Sequence, residues 1–182
     1  MNLFSEIESI DDHEIEDSII SQWTRHNPEQ VGAWLAEEYT GSRVDEIKEH
    51  FIRNWSYMDR IKSADWMVNN SLPEKLDKNV TSFMQSWGYD NPEEAMQWFS
   101  QQSAEIYNQS NFSDFLRNAA YPHPQFAANH LSFIDDEKQR SGVAQSIYQG
   151  FKQKSSSKAK AFLEASPFRK DILKFDAMMN DS

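Results

Sequence analysis

Five histidines, His13, His26, His50, His123 and His130, are the residues of this chain best suited to bind a metal or move a proton. A helical metal site needs two ligands four residues apart, so that both project from one face, with a third ligand nearby. No pair of these histidines has that spacing and no carboxylate motif accompanies them, so the spacing gives no reason to expect a metal. The acidic pairs Glu37/Glu38, Glu93/Glu94 and Asp135/Asp136 could be imagined as acid and base. Catalysis of that kind needs burial to separate two carboxyl pKa values, and these pairs fall at predicted helix starts, ends or loops, where water solvates them. There is no glycine-rich phosphate loop and no GxSxG elbow, and with no cysteine there is neither a thiolate ligand nor a disulfide. The expectation is no catalytic residue, no metal and no cofactor.

The aromatic residues are more informative. Tryptophans stand at 23, 55 and 87 and again at 34, 66 and 98, and these two columns of period 32 hold all six in the chain. Continued, the first column reaches Ala119 and Phe151, and the second His130 and Phe162. Three further columns keep the same period: Ile19, Phe51, Phe83, Phe115, Ile147; Ile20, Ile52, Met84, Leu116, Tyr148; and Leu35, Met67, Phe99, Leu131, Leu163. A fixed period of this size marks a stacked repeat, in which each unit buries its face against the next. Tryptophans so placed are predicted to be core rather than stacking platforms for sugars or bases. His130, in a tryptophan's place, is predicted to be packed.

Within a unit the apolar positions 15, 19, 20 and 23 share one helix face, as do 31, 34 and 35 after a turn. Each unit therefore reads as a helical hairpin. Asn27, Asp59, Asn91, His123 and Ser155 mark the turn, and four of the five are good N-cap types. Pro28, Pro92 and Pro124 follow at the first helical position, where a missing N–H costs nothing. The predicted map is a single domain over residues 1–182. A capping helix occupies 1–11 (Leu3, Phe4, Ile7 and Ile10 on one face), and five hairpins fill 12–166, beginning near 12, 43, 75, 107 and 137. A half repeat over 167–182 follows, with Ile172, Phe175 and Met179 on its apolar face. The predicted fold class is all-α, a right-handed α-solenoid of about five antiparallel hairpins.

On these columns, over residues 12–180, the chain resembles the α-solenoid class that includes tetratricopeptide and HEAT repeats. It looks like Trp-rich bacterial helical repeats carrying W, then NPE, then W. It departs from the tetratricopeptide pattern in its period, in the proline that opens the second helix and in lacking that family's small-residue positions. The resemblance implies a binding scaffold without naming its partner.

One column falls outside the predicted core faces: Tyr57, Tyr89 and Tyr121, with Arg25 and Gln153 in the same register. Three tyrosines in the turn between helices would form a ladder along one edge, and an exposed tyrosine is a common anchor for a protein partner. The function expected is therefore a non-catalytic adaptor, assembly factor or inhibitor that binds a protein or peptide on a concave face or turn edge. An acidic mimic of nucleic acid is the alternative, and a helical enzyme with a site in the superhelix groove is a third reading.

Charge bears on all three. The formal net charge is −11, which argues against direct nucleic-acid binding, since neutralising phosphates takes clustered Lys and Arg. Residues 1–17 hold seven acids and no base, whereas residues 138–182 hold nine bases and four acids. That asymmetry fits the mimic poorly but allows salt-sensitive head-to-tail self-association. No apolar run approaches the ~18 residues a membrane helix needs, and the first residues are acidic where a secretory signal would be basic and then apolar. The expected location is the cytoplasm.

Overall fold

The computed structural model describes residues 13–180, which form eleven α-helices and one 3-10 turn without a strand. The chain is all-α. The helices are α1 (His13–His26), α2 (Pro28–Glu37), α3 (Val44–Ser56), α4 (Arg60–Asn70), α5 (Pro73–Asp90), α6 (Pro92–Phe99), α7 (Gln109–Ala119), α8 (Pro124–His130), α9 (Glu137–Lys154), α10 (Ser156–Ala165) and α11 (Arg169–Asn180). The capping helix expected at 1–11 lies outside the described residues. No described helix is long and apolar enough to cross a membrane.

Local chemistry explains most of the starts. Asp59, Asn91, Asn108, Asp136 and Ser155 each accept, through a side-chain oxygen, the backbone N–H three residues on, satisfying a donor that the first turn would otherwise leave unpaired. Asn27 and His123 make no such bond, so at α2 and α8 the proline at the first helical position is the remaining start signal.

By contact, the chain divides into two compact units, residues 1–76 and 77–182, with α5 beginning in the first and continuing into the second. In the first unit α3 packs on α1, α2 and α4. Its core is Ile20, Val31, Trp34, Leu35, Tyr39, Ile47, Phe51 and Trp55, with Trp23 and Trp66 half-buried against it. Gly32 makes room for one of them: a Cβ there would come within 2.7 Å of the Trp66 indole nitrogen.

The buried face of α1 differs from the one expected. Glu16, Ile20 and Thr24 are buried, while Ile15 is exposed and Trp23 only half-buried, so the helix is turned by about one residue. The cause is polar. Glu16 accepts from the Tyr39 hydroxyl and from Arg43 Nη1, both at 2.8 Å, and Thr24 Oγ1 returns its proton to the Ile20 carbonyl at 2.7 Å. A buried carboxylate so paired takes the place that the apolar pattern assigned to its neighbour.

In the second unit α9 packs against α7, α8, α10 and α11. The Trp87 and Trp98 rings, from α5 and α6, lie 5.6 Å apart and are both buried, as are Phe99, Phe112, Phe115, Leu116, Ile147 and Phe151. Gly150 lets α9 pass close to the turn after α7, where a Cβ would collide with the Ala120 carbonyl oxygen. On α11 the expected apolar face is met in part: Ile172 is buried with Phe168 and Ala144 and Phe175 is half-buried, but Met179 is exposed.

Candidate protein-interaction surface

The exposed tyrosines follow from helix geometry. Two residues along an α-helix is about 200° of rotation, so a residue two positions after a buried one faces outward. Trp55, Trp87 and Ala119 are buried, and the tyrosines two positions on are exposed: Tyr57 at 79%, Tyr89 at 60% and Tyr121 at 41%. Tyr57 belongs to the first unit, the other two to the second. Only Tyr57 and Tyr121 lie in the expected turns. Tyr89 stands in the last turn of α5, which runs on to Asp90. Around Tyr57 the first unit also exposes Met58 and Ile61, giving a small apolar patch at the α3–α4 turn.

Hydrogen bonds hold these turns in register with their neighbours. In the second unit His123 Nε2 donates to the Tyr89 carbonyl at 3.0 Å, and Lys154 Nζ donates to the Pro122 carbonyl. Three successive turns are thereby joined side by side, each through a side chain of the later turn and a backbone oxygen of the earlier. In the first unit Lys62 Nζ reaches Glu29 Oε1 at 2.8 Å, tying the start of α4 to that of α2. That bond raises the Lys62 pKa and lowers that of Glu29 from their ordinary values. The only sequence signal for these ties was their separation of 32 to 34 residues, close to the repeat period.

Sequence reasoning missed a second polar cluster, on the seam between α1 and α3. Ser21 Oγ lies 3.1 Å from His50 Nε2, His50 Nδ1 lies 3.7 Å from Asp17 Oδ1, and Asn54 Nδ2 donates to Ser21 Oγ at 3.0 Å. The order of atoms is that of a serine–histidine–aspartate relay. The geometry is not: 3.7 Å is too long for the orienting hydrogen bond, and Arg43 also engages Asp17, at 3.4 Å. The cluster is a polar clamp between two helices.

An open groove in the second unit is lined by Arg117, Lys138, Gly142, Gln145 and Asp171, among others. Its charged residues are exposed to solvent and of both signs, which gives no desolvated acid–base pair. Compared with protein-family models, curated proteins and solved structures, the chain matches none. A functional reading therefore stands on the geometry alone.

His130, the substitute in the tryptophan column, is half-buried, lies 4.3 Å from the Phe126 ring by centroids, and donates through Nδ1 to the Phe126 carbonyl at 2.8 Å. That bond leaves Nε2 as the nitrogen without the proton in the neutral ring. The ring serves packing. Among the described residues, no three His, Asp or Glu side chains converge in a way that could hold a metal ion.

Proposed function

We propose that this chain is a non-catalytic protein-interaction module, an adaptor, assembly factor or inhibitor, built as a right-handed α-solenoid of about five helical hairpins. It recognises a protein or peptide partner through Tyr57, Tyr89 and Tyr121. The 32-residue period over five aromatic and aliphatic columns supports the solenoid part of this reading. The observation that carries the functional part is the exposure of the three tyrosines, each two residues after a buried core position.

Rings as exposed as those of Tyr57 and Tyr89 add little to the core, and Tyr121 keeps a substantial part of its surface in solvent. Each phenol offers apolar area with two side-chain torsions to immobilise and a hydroxyl to satisfy, which suits an anchor at an interface. The turns beneath Tyr89 and Tyr121 are tied together by the His123 bond, so these anchors are presented without the entropy cost of ordering a loose loop.

The test is affinity capture from the source cell with the chain as bait, comparing wild type with the triple change Tyr57→Ser, Tyr89→Ser and Tyr121→Ser. A partner held by wild type and lost by a variant of unchanged helicity supports the reading. A partner held equally by both overturns it.

A further inference from the structure

On the last helix, α11, the acids are bonded to α9 while the bases are exposed. Its two described acids turn toward α9: Asp171 Oδ2 accepts from Ser141 at 3.0 Å, and Asp176 Oδ1 accepts from Lys152 at 2.7 Å and from Gln149 at 2.8 Å. Ile172 and Phe175 point the same way, Ile172 fully buried. Arg169, Lys170 and Lys174 are exposed, and no ion pair engages them among the described residues. Leu173 at 44% and Met178 at 62% are exposed with them. Positions 170, 174 and 178 form one stripe of the helix with 173 beside it, opposite buried Ile172, so Lys170 and Lys174 share an outer face with Leu173 and Met178.

The sequence holds one segment of opposite character. Residues 1–12 carry Glu6, Glu8, Asp11 and Asp12 with no Lys or Arg, and Leu3, Phe4, Ile7 and Ile10 at the spacing of one helix face. The match is apolar to apolar and acid to base. Because the molecule as a whole carries −11, two copies repel at long range, and only a contact complementary at short range can hold them.

We infer that the outer face of α11 receives residues 1–12 of a second copy, making a head-to-tail contact between molecules. The contact joins two different surfaces, so it propagates to longer species unless it closes into a ring. Its salt dependence has a maximum. At about 0.01 M salt the Debye length is about 30 Å and the repulsion of the whole molecules prevails; at about 0.1 M it is about 10 Å and the local faces prevail; at about 1 M it is about 3 Å and the ion pairs fade.

Sedimentation velocity of the full chain over a concentration series at these three salt levels tests the inference. Wild type should associate most strongly near 0.1 M. Lys170→Glu with Lys174→Glu should weaken association at least tenfold with helicity unchanged, since both side chains are exposed. Glu6→Lys with Glu8→Lys should do the same, and all four changes in one chain should restore it. Wild type that stays monomeric at every salt level overturns the inference, as does association indifferent to the α11 changes or not restored by the fourfold variant. The triple tyrosine variant should self-associate like wild type, which separates this contact from partner binding.

Discussion

His123 Nε2 donates to the carbonyl oxygen of Tyr89 at 3.0 Å, joining two turns 34 residues apart in sequence. A histidine in an N-cap column is a poor cap, and here the ring does not cap α8 at all. It spans to the preceding turn instead, and Lys154 repeats the arrangement one turn later at Pro122. His123→Ala should cost about 0.5–1.5 kcal/mol, the net worth of a hydrogen bond near the surface. A urea midpoint shift in that range, with the slope unchanged, is the expected result.

The two tryptophans of the second column should differ in their effect on stability. Trp98 is buried against Trp87, whereas Trp66 is half-buried over Gly32. Trp98→Ala should cost about 3–5 kcal/mol, as for a large aromatic in a core, and Trp66→Ala clearly less. Chemical denaturation of both variants checks the order.

How much of this was legible in the sequence depends on what each residue depends on. The helices and their starts were readable because Asn91, Asp59 and the prolines act within one turn, and the core columns because burial repeats with the period. The rotation of α1 was not readable. It is set by Glu16 meeting Tyr39 and Arg43, residues 23 and 27 positions away, and no periodicity of apolar residues reports a pairing of that kind. The clamp of Ser21, His50 and Asn54 was hidden for the same reason. The tyrosine column was visible as a pattern, but its exposure followed only once Trp55, Trp87 and Ala119 were seen to point inward.

Glu16 supplies the next prediction. Removing one member of a buried, hydrogen-bonded ion pair leaves its partner desolvated, at about 3–5 kcal/mol. Arg43 keeps Asp17 and Glu46, so Glu16→Ala should fall at the low end, about 3 kcal/mol, measured as a loss of denaturant stability. Glu16→Gln, which still accepts from the Tyr39 hydroxyl, should lose less.

Gly150 is a position where a single methyl group should be felt. An added Cβ meets the Ala120 backbone carbonyl, which cannot rotate away as a side-chain tip could. Gly150→Ala should destabilise by about 1–3 kcal/mol, the range for overpacking, despite alanine's better helix propensity. Thermal unfolding of this variant beside a Gly142→Ala control, whose Cβ would meet only an Arg117 side-chain nitrogen at 3.6 Å, isolates the collision.

The claim that the exposed tyrosines bind a partner is tested most directly by titrating the partner recovered by capture against wild type and against the Tyr57→Ser, Tyr89→Ser, Tyr121→Ser variant, with circular dichroism on both. Interface anchors of this kind each contribute about 1–2 kcal/mol or more, so the triple change should weaken binding at least a hundredfold while the helical signal stays within error of wild type. Equal affinity for the two proteins would contradict the proposal, and lost helicity would show that the rings serve the fold.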